Sequence, residues 1–189
     1  MEYITQLKQN KNPNLNDIDL KEIVRGFDEM YTEGIFVMVT NTKKIREMRF
    51  KNHRHHLHHL LGLQYLSNQK YNSRAAKVMD KIHNGNITLS DLKRDKNFHR
   101  VKKRILMIRL VFLVRDRSMD LILHEPLHKT HVMDLGIHEK DSSGDIVLGI
   151  GREKNNSNEY YFFKTLEEYK RVIENSRLHK IINTYIETN

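Results

Sequence analysis

Residues 121–164 read LILHEPLHKTHVMDLGIHEKDSSGDIVLGIGREKNNSNEYYFFK, a series of apolar runs divided by turn residues. The runs Leu121–His124, His131–Glu139, Asp145–Glu153 and Glu159–Lys164 are expected to be four strands. Between them lie Glu125-Pro126, Asp141-Ser142-Ser143-Gly144 and Asn155-Asn156-Ser157-Asn158, compositions that favour turns. Connections this short join antiparallel neighbours. Downstream, Thr165-Leu166-Glu167-Glu168 has the form of a capping box. Tyr169, Val172, Ile173, Leu178, Ile181 and Ile182 then recur at helical spacing.

Upstream of these strands, the N-terminal half reads as helices interrupted by one hairpin. Asp17–Tyr31 places Leu20, Ile23, Val24 and Phe27 on one face, with Asn16 as the expected cap. Gly34–Val39 reads as a strand, Asn41–Lys44 as a turn and Ile45–Phe50 as the return strand. A short helix stopped near Gly62 follows, then Ser73–Ile82 closed by Asn84-Gly85. Thr88-Leu89-Ser90-Asp91 forms a second capping box. Phe98–Val114 reads as one long helix, with Val101, Ile105, Ile108 and Phe112 on its apolar stripe. Lys102, Lys103, Arg104 and Arg109 mark the opposite face.

The expected class is therefore α+β: N-terminal helices and a hairpin, then a four-stranded antiparallel sheet covered by a C-terminal helix. Residues 1–189 form a single expected domain, with a mostly helical part over 1–116 and the sheet and final helix over 117–189.

Composition bounds the partners. The 189 residues carry 33 Lys and Arg against 24 Asp and Glu, a formal charge of +9. Such an excess favours nucleic acid first and an anionic surface second. There is no cysteine, which excludes disulfides and thiolate metal sites and fits a reducing cytoplasm. The longest apolar run, Ile105–Val114, is interrupted by Arg109 and is too short to span a bilayer.

Phe50–Leu63, FKNHRHHLHHLLGL, concentrates five of the twelve histidines within seven positions. Imidazole titrates near neutral pH, and Leu57, Leu60, Leu61 and Leu63 frame the cluster with packing residues. His55 and His59 stand four apart and face one side of a helix. That spacing, like His124 with His128, also suits a metal pair, although no third ligand is placed and no metal or other cofactor is expected. His128 and His131 flank a turn.

Taken together, these segments resemble a phage- and mobile-element-associated subgroup of RNase-like domains in the barnase–EndoU–colicin–RelE superfamily. The resemblance runs from Gly34 to Leu166. It rests on the strand ending in Phe50, His59-Leu60-Leu61-Gly62-Leu63, Ala75-Ala76 to Ile82, Asn84 to Leu89, a basic helix and the closing strand Tyr160–Leu166. The chain departs from the pattern at Phe163-Lys164, where proline is usual, and at His56-Leu57, where Asn-Phe is usual.

The resemblance implies metal-independent cleavage of RNA, in a toxin- or defence-like protein that an inhibitor protein would restrain. In such a reaction the ribose 2′-hydroxyl attacks the adjoining phosphate while acid and base groups move protons and cations hold the developing charge. It points to His59 and His55 for proton transfer. Arg152, on a strand face with Ile146, Leu148 and Ile150, is the candidate cation, and Thr165 the candidate hydroxyl. Lys102, Lys103, Arg109, Lys164 and Tyr161 are candidate nucleic-acid contacts. A basic binding module without catalysis and a His-rich metal-dependent hydrolase are the alternative readings.

Overall fold

In the computed structural model the described residues are 2–116, 121–126, 133–139, 146–155, 158–168 and 176–187. The first helix, α1 (Glu2–Gln9), lies against α2 (Leu20–Tyr31). Asp19, rather than Asn16, caps α2: its carboxylate accepts from the Lys21 and Glu22 N–H groups at 2.9 and 3.2 Å. Leu20, Ile23, Val24, Phe27, Met30 and Tyr31 are buried along α2, the stripe expected from their spacing.

The hairpin comprises β1 (Ile35–Thr40) and β2 (Glu47–Phe50), antiparallel with Phe36 opposite Phe50. Next come α3 (Arg54–Leu60), a 3₁₀ turn at Leu63–Tyr65, α4 (Gln69–Asn72), α5 (Ala75–His83) and α6 (Leu89–Lys93). Thr88 and Asp91 form the expected capping box at α6, satisfying two of the orphan donors at its start.

The segment expected as one long helix is two: α7 (His99–Leu106) and α8 (Arg109–Asp116), broken at Met107-Ile108. The break has a consequence for charge. On an unbroken helix Arg109 would share a face with Lys102, seven residues earlier. Here it turns inward to 6% exposure and pairs with Glu139.

Strands β3 (Leu121–Pro126), β4 (Leu135–Glu139), β5 (Ile146–Asn155) and β6 (Asn158–Glu168) are consecutive antiparallel neighbours, as their turns require. The predicted closing helix is absent from the described residues. Ser176–Glu187 is instead a twelve-residue strand, β7, and the result is a closed barrel ordered β1-β2-β6-β5-β4-β3-β7. The four-stranded sheet covered by a helix is thus corrected to a seven-stranded barrel. Strand β7 pairs antiparallel with both β1 and β3, while β2 meets β6 in parallel at Phe50 and Tyr161.

Two bulges explain the misreading. Val39 pairs with Asn183 and Thr40 with Ile181, so Ile182 is an extra residue in β7. Its insertion breaks the period-two alternation and leaves Leu178, Ile181 and Ile182 at helix-like spacing. Likewise Gly149 pairs with Thr165 and Ile150 with Phe163, so Lys164 is extra in β6. Thr165 lies within that strand and caps no helix. Tyr169, Val172 and Ile173, with which the helix was expected to begin, fall outside the described residues.

Aromatic packing joins the helices to the barrel. Phe163 lies edge-on to Tyr31 at 5.0 Å and 90°, and within 5.2 Å of Phe50. Phe36 meets Tyr31 edge-on at 5.4 Å, and the Tyr31 hydroxyl donates to the Val111 carbonyl at 2.5 Å. Each such aromatic pair adds about 0.5–1.5 kcal/mol beyond its area burial.

Candidate active site

Strand β2 leads directly into α3, and three contacts fix that junction to β6. The Lys51 N–H donates to the Tyr161 carbonyl and the Phe163 N–H to Asn52 Oδ1, both at 2.9 Å. Asn52 is 3% exposed, so this side chain replaces strand pairing where β2 ends. The third contact is made by His56, whose ring stacks on Phe162 at 4.9 Å and 23°.

The bulge at Lys164 sets what lies beside that stack. A Cβ on Gly151 would meet the Phe162 ring, and one on Gly149 would meet Thr165 Cγ2. Phe162 and Thr165 therefore share the β5–β6 face that the two glycines leave low. Arg104 of α7 reaches the same face: its Nη1 donates to Thr165 Oγ1 at 2.9 Å.

Arg104 is held from the other side by Gly62, which ends α3 in the left-handed region at φ +75. A Cβ there would lie 2.7 Å from Arg104 Cδ, so only glycine satisfies both the backbone angle and the close approach. The Gly62 N–H donates to the His59 carbonyl at 3.0 Å. The turn at Gly62, bonded to the main chain of His59, thus packs on Arg104, which in turn reaches Thr165.

The histidines separate by environment. His58 is buried and its Nε2–H donates to the Tyr71 carbonyl at 2.8 Å, which fixes the tautomer. Burial lowers its pKa, and it serves the core. His56 Nδ1 accepts the His53 N–H at 3.0 Å, so the proton of the neutral ring sits on Nε2. Burial, then the neighbouring histidines, push its pKa down to about 3. His55 and His59 are exposed on the rim. The His55 ring is 4.3 Å from that of His56, and its pKa is lowered, first by desolvation and then by His53 and His59.

A family profile described as phage-Barnase-EndoU-ColicinE5/D-RelE like nuclease4 matches residues 19–189. The chain belongs to this nuclease family. Nucleic acid is accordingly its substrate class. No curated protein and no solved structure matches it. Among the described residues, no helix is long and apolar enough to cross a membrane.

The barrel distributes the other candidate residues of this nuclease-family chain widely. Arg152 stands opposite Tyr161, one step along from the Gly151–Phe162 pair, and so points to the other face from Thr165. Its guanidinium pairs with Glu159 at 3.2 Å, and the Tyr161 hydroxyl donates to the same carboxylate at 3.0 Å. Burial and Glu159 hold the Tyr161 phenol up at about 12. Lys102 and Lys103 are exposed on α7, Lys164 is half-buried in the bulge, and Arg109 is committed to its buried pair with Glu139. His128 and His131 lie outside the described residues.

Sequence reasoning missed the parts that tie the site together: His56, Arg104 as a partner of Thr165, and Tyr65 with Arg100. Arg100 and Arg104, one turn apart, place their guanidinium carbons 5.3 and 5.1 Å from the Tyr65 ring centre. Their four-residue spacing was a visible signal. What they face depends on the Gly62 turn and could not be read from α7.

A second histidine group sits on β3 and β4. His124 Nε2 and His138 Nδ1 share a 2.6 Å hydrogen bond, and His124 Nδ1 meets Ser176 Oγ at 2.7 Å. Burial, then His138 and His179, lower the His124 pKa to about 4. Among the described residues, no group of three His, Asp or Glu is arranged to hold a metal ion.

Proposed function

We propose that this chain is a metal-independent endoribonuclease, toxin- or defence-like, that cleaves by attack of the ribose 2′-hydroxyl on its own 3′-phosphate. The observation that carries the reading is the Arg104–Thr165 hydrogen bond beside the histidine-rich end of α3. A guanidinium fixed before substrate arrives can stabilise the charge of a pentacoordinate phosphorane with little reorganisation. Thr165 and Tyr65 orient Arg104, whose guanidinium is the group offered to a sugar–phosphate chain.

His59 and His55, exposed on one side of α3, take the proton-transfer roles. One accepts the 2′-hydroxyl proton as the O2′–P bond forms, and the other protonates the departing 5′-oxygen as the P–O5′ bond breaks. His56 is suited to neither step in its fixed neutral form, because its accepting nitrogen is occupied. It acts as a neutral Nε2–H donor and as the spacer between α3 and Phe162. Lys102 and Lys103 supply backbone attraction along α7. Arg152, on the opposite strand face, contributes at the barrel end rather than to the reacting phosphate. An inhibitor protein is the matching partner, and the cytoplasm the matching compartment.

The test is a gel assay of purified protein on total RNA and on single-stranded DNA with EDTA present. Cleavage of RNA alone, abolished in Arg104→Ala and His59→Ala, is the expected result. Salt-sensitive binding without cleavage would leave a nucleic-acid-binding member of the family.

A further inference from the structure

We infer that Tyr65 is a stacking subsite for an unpaired nucleobase adjoining the phosphate held by Arg104, so that the substrate is single-stranded RNA. This rests on the proposed function, whose reacting phosphate sits at Arg104. Tyr65 is one of the few large apolar side chains left exposed among the described residues, at 37%. Its main chain is nonetheless pinned. The Tyr65 N–H donates to the Gly62 carbonyl at 2.9 Å, and its own carbonyl accepts from Asn97 Nδ2 at 3.3 Å.

Two guanidiniums pack over part of the ring, and the part that stays exposed is the area on which a base would stack, rigidly mounted and so at low ordering cost. Arg100 and Arg104 lie at 5.3 and 5.1 Å from the ring centre, and Arg104 also reaches Thr165. Planar guanidinium forks suit phosphate oxygens. An aromatic face beside a tracked phosphate is the combination by which proteins hold single strands. A base within a duplex is already stacked on both sides and cannot take that position. A purely structural cation–π contact holding α7 to the turn would need no exposed ring and would show no preference among nucleic acids.

The probe is a fluorescein-labelled 2′-O-methyl RNA of mixed sequence, which cannot undergo 2′-hydroxyl attack. Its binding is followed by anisotropy, alone and annealed to its complement. The wild-type protein is expected to bind the single strand at least about tenfold more tightly than the duplex. Tyr65→Ser should weaken single-strand binding by roughly tenfold with an unchanged salt slope, and Tyr65→Phe should retain it, since stacking needs the ring alone. Thermal melting of both variants controls for folding, and Tyr65→Trp serves as a second rescue.

Equal binding of single strand and duplex, or unchanged binding by Tyr65→Ser, overturns the inference. If Tyr65-dependent single-strand binding is seen while natural RNA stays intact, the subsite stands and the nuclease reading fails. If RNA is cut but Tyr65→Ser binds normally, the subsite alone fails.

Discussion

Arg104 Nη1 donates to Thr165 Oγ1 at 2.9 Å, joining residues 61 positions apart across the boundary between the helical half and the barrel. The bond depends on two local irregularities: the bulge at Lys164 that turns Thr165 to the glycine face, and the left-handed Gly62 against Arg104. Both parts of the chain must fold correctly for the guanidinium to be aimed.

Replacing the guanidinium should therefore cost far more activity than stability. Arg104→Ala is expected to reduce RNA cleavage by about 10²–10³-fold, the size seen when one charge-stabilising donor is removed. Arg104→Lys should recover little, because a point charge cannot span Thr165 and a phosphate as a planar fork does. Thr165→Val keeps the shape and removes the acceptor, with an expected loss nearer to about fivefold, or ~1 kcal/mol. Single-turnover rates with matched melting curves decide this.

Gly62→Ala tests the mounting rather than the charge. The added Cβ meets Arg104 Cδ in a backbone region that disfavours alanine, so the helix end must shift. The expected outcome is a loss of about 1 kcal/mol in stability and a larger fractional loss in cleavage rate. A normal rate in a destabilised protein would show that Arg104 can be aimed without this turn.

Arg109 should behave oppositely to Lys102 and Lys103. It is buried with Glu139, and breaking such a pair leaves an uncompensated charge, at roughly 3–5 kcal/mol. Arg109→Ala is expected to lower Tm strongly and to leave the affinity of the folded fraction for RNA unchanged. Lys102→Ala with Lys103→Ala should leave Tm nearly constant and flatten the salt dependence of binding by about two charges.

Stability should also fall on mild acidification. His124 titrates at about 4 and His56 at about 3 when folded, against about 6.5 when unfolded. The unfolded chain therefore binds these protons first. Stability is unaffected by these groups above about pH 6.5 and decreases as pH falls from there toward 4. Melting curves at pH 7.5, 6 and 5 should show a falling Tm, with a shallower fall in His124→Gln. A Tm that is constant across that range would contradict the buried, neutral assignment.

Much of the local structure was legible because it depends on neighbouring residues. The Thr88–Asp91 box, the hairpin at 41–44, the short α3 and the four strands between 121 and 168 all follow from capping, turn chemistry and alternation. The barrel was not legible, since its closure depends on β7, and the extra Ile182 gives that strand a helical-looking apolar spacing. The surroundings of the cations were not legible for a similar reason. A break at Met107-Ile108 buries Arg109, and strand parity sends Arg152 away from Thr165. His59 and Thr165 were chosen separately from sequence, and Arg104, the partner of Thr165, becomes visible only when α7 is set beside Gly62.

The most direct measurement is the rate and end chemistry of cleavage of an end-labelled single-stranded RNA in EDTA, comparing the wild-type protein with Arg104→Lys. The expected result is fragments ending in 2′,3′-cyclic phosphate, no cleavage where a 2′-deoxy residue replaces the attacked nucleotide, and a drop of at least about a hundredfold in the variant. Fragments with 5′-phosphates, equal cleavage of the deoxy strand, or an Arg104→Lys rate equal to wild type would contradict it.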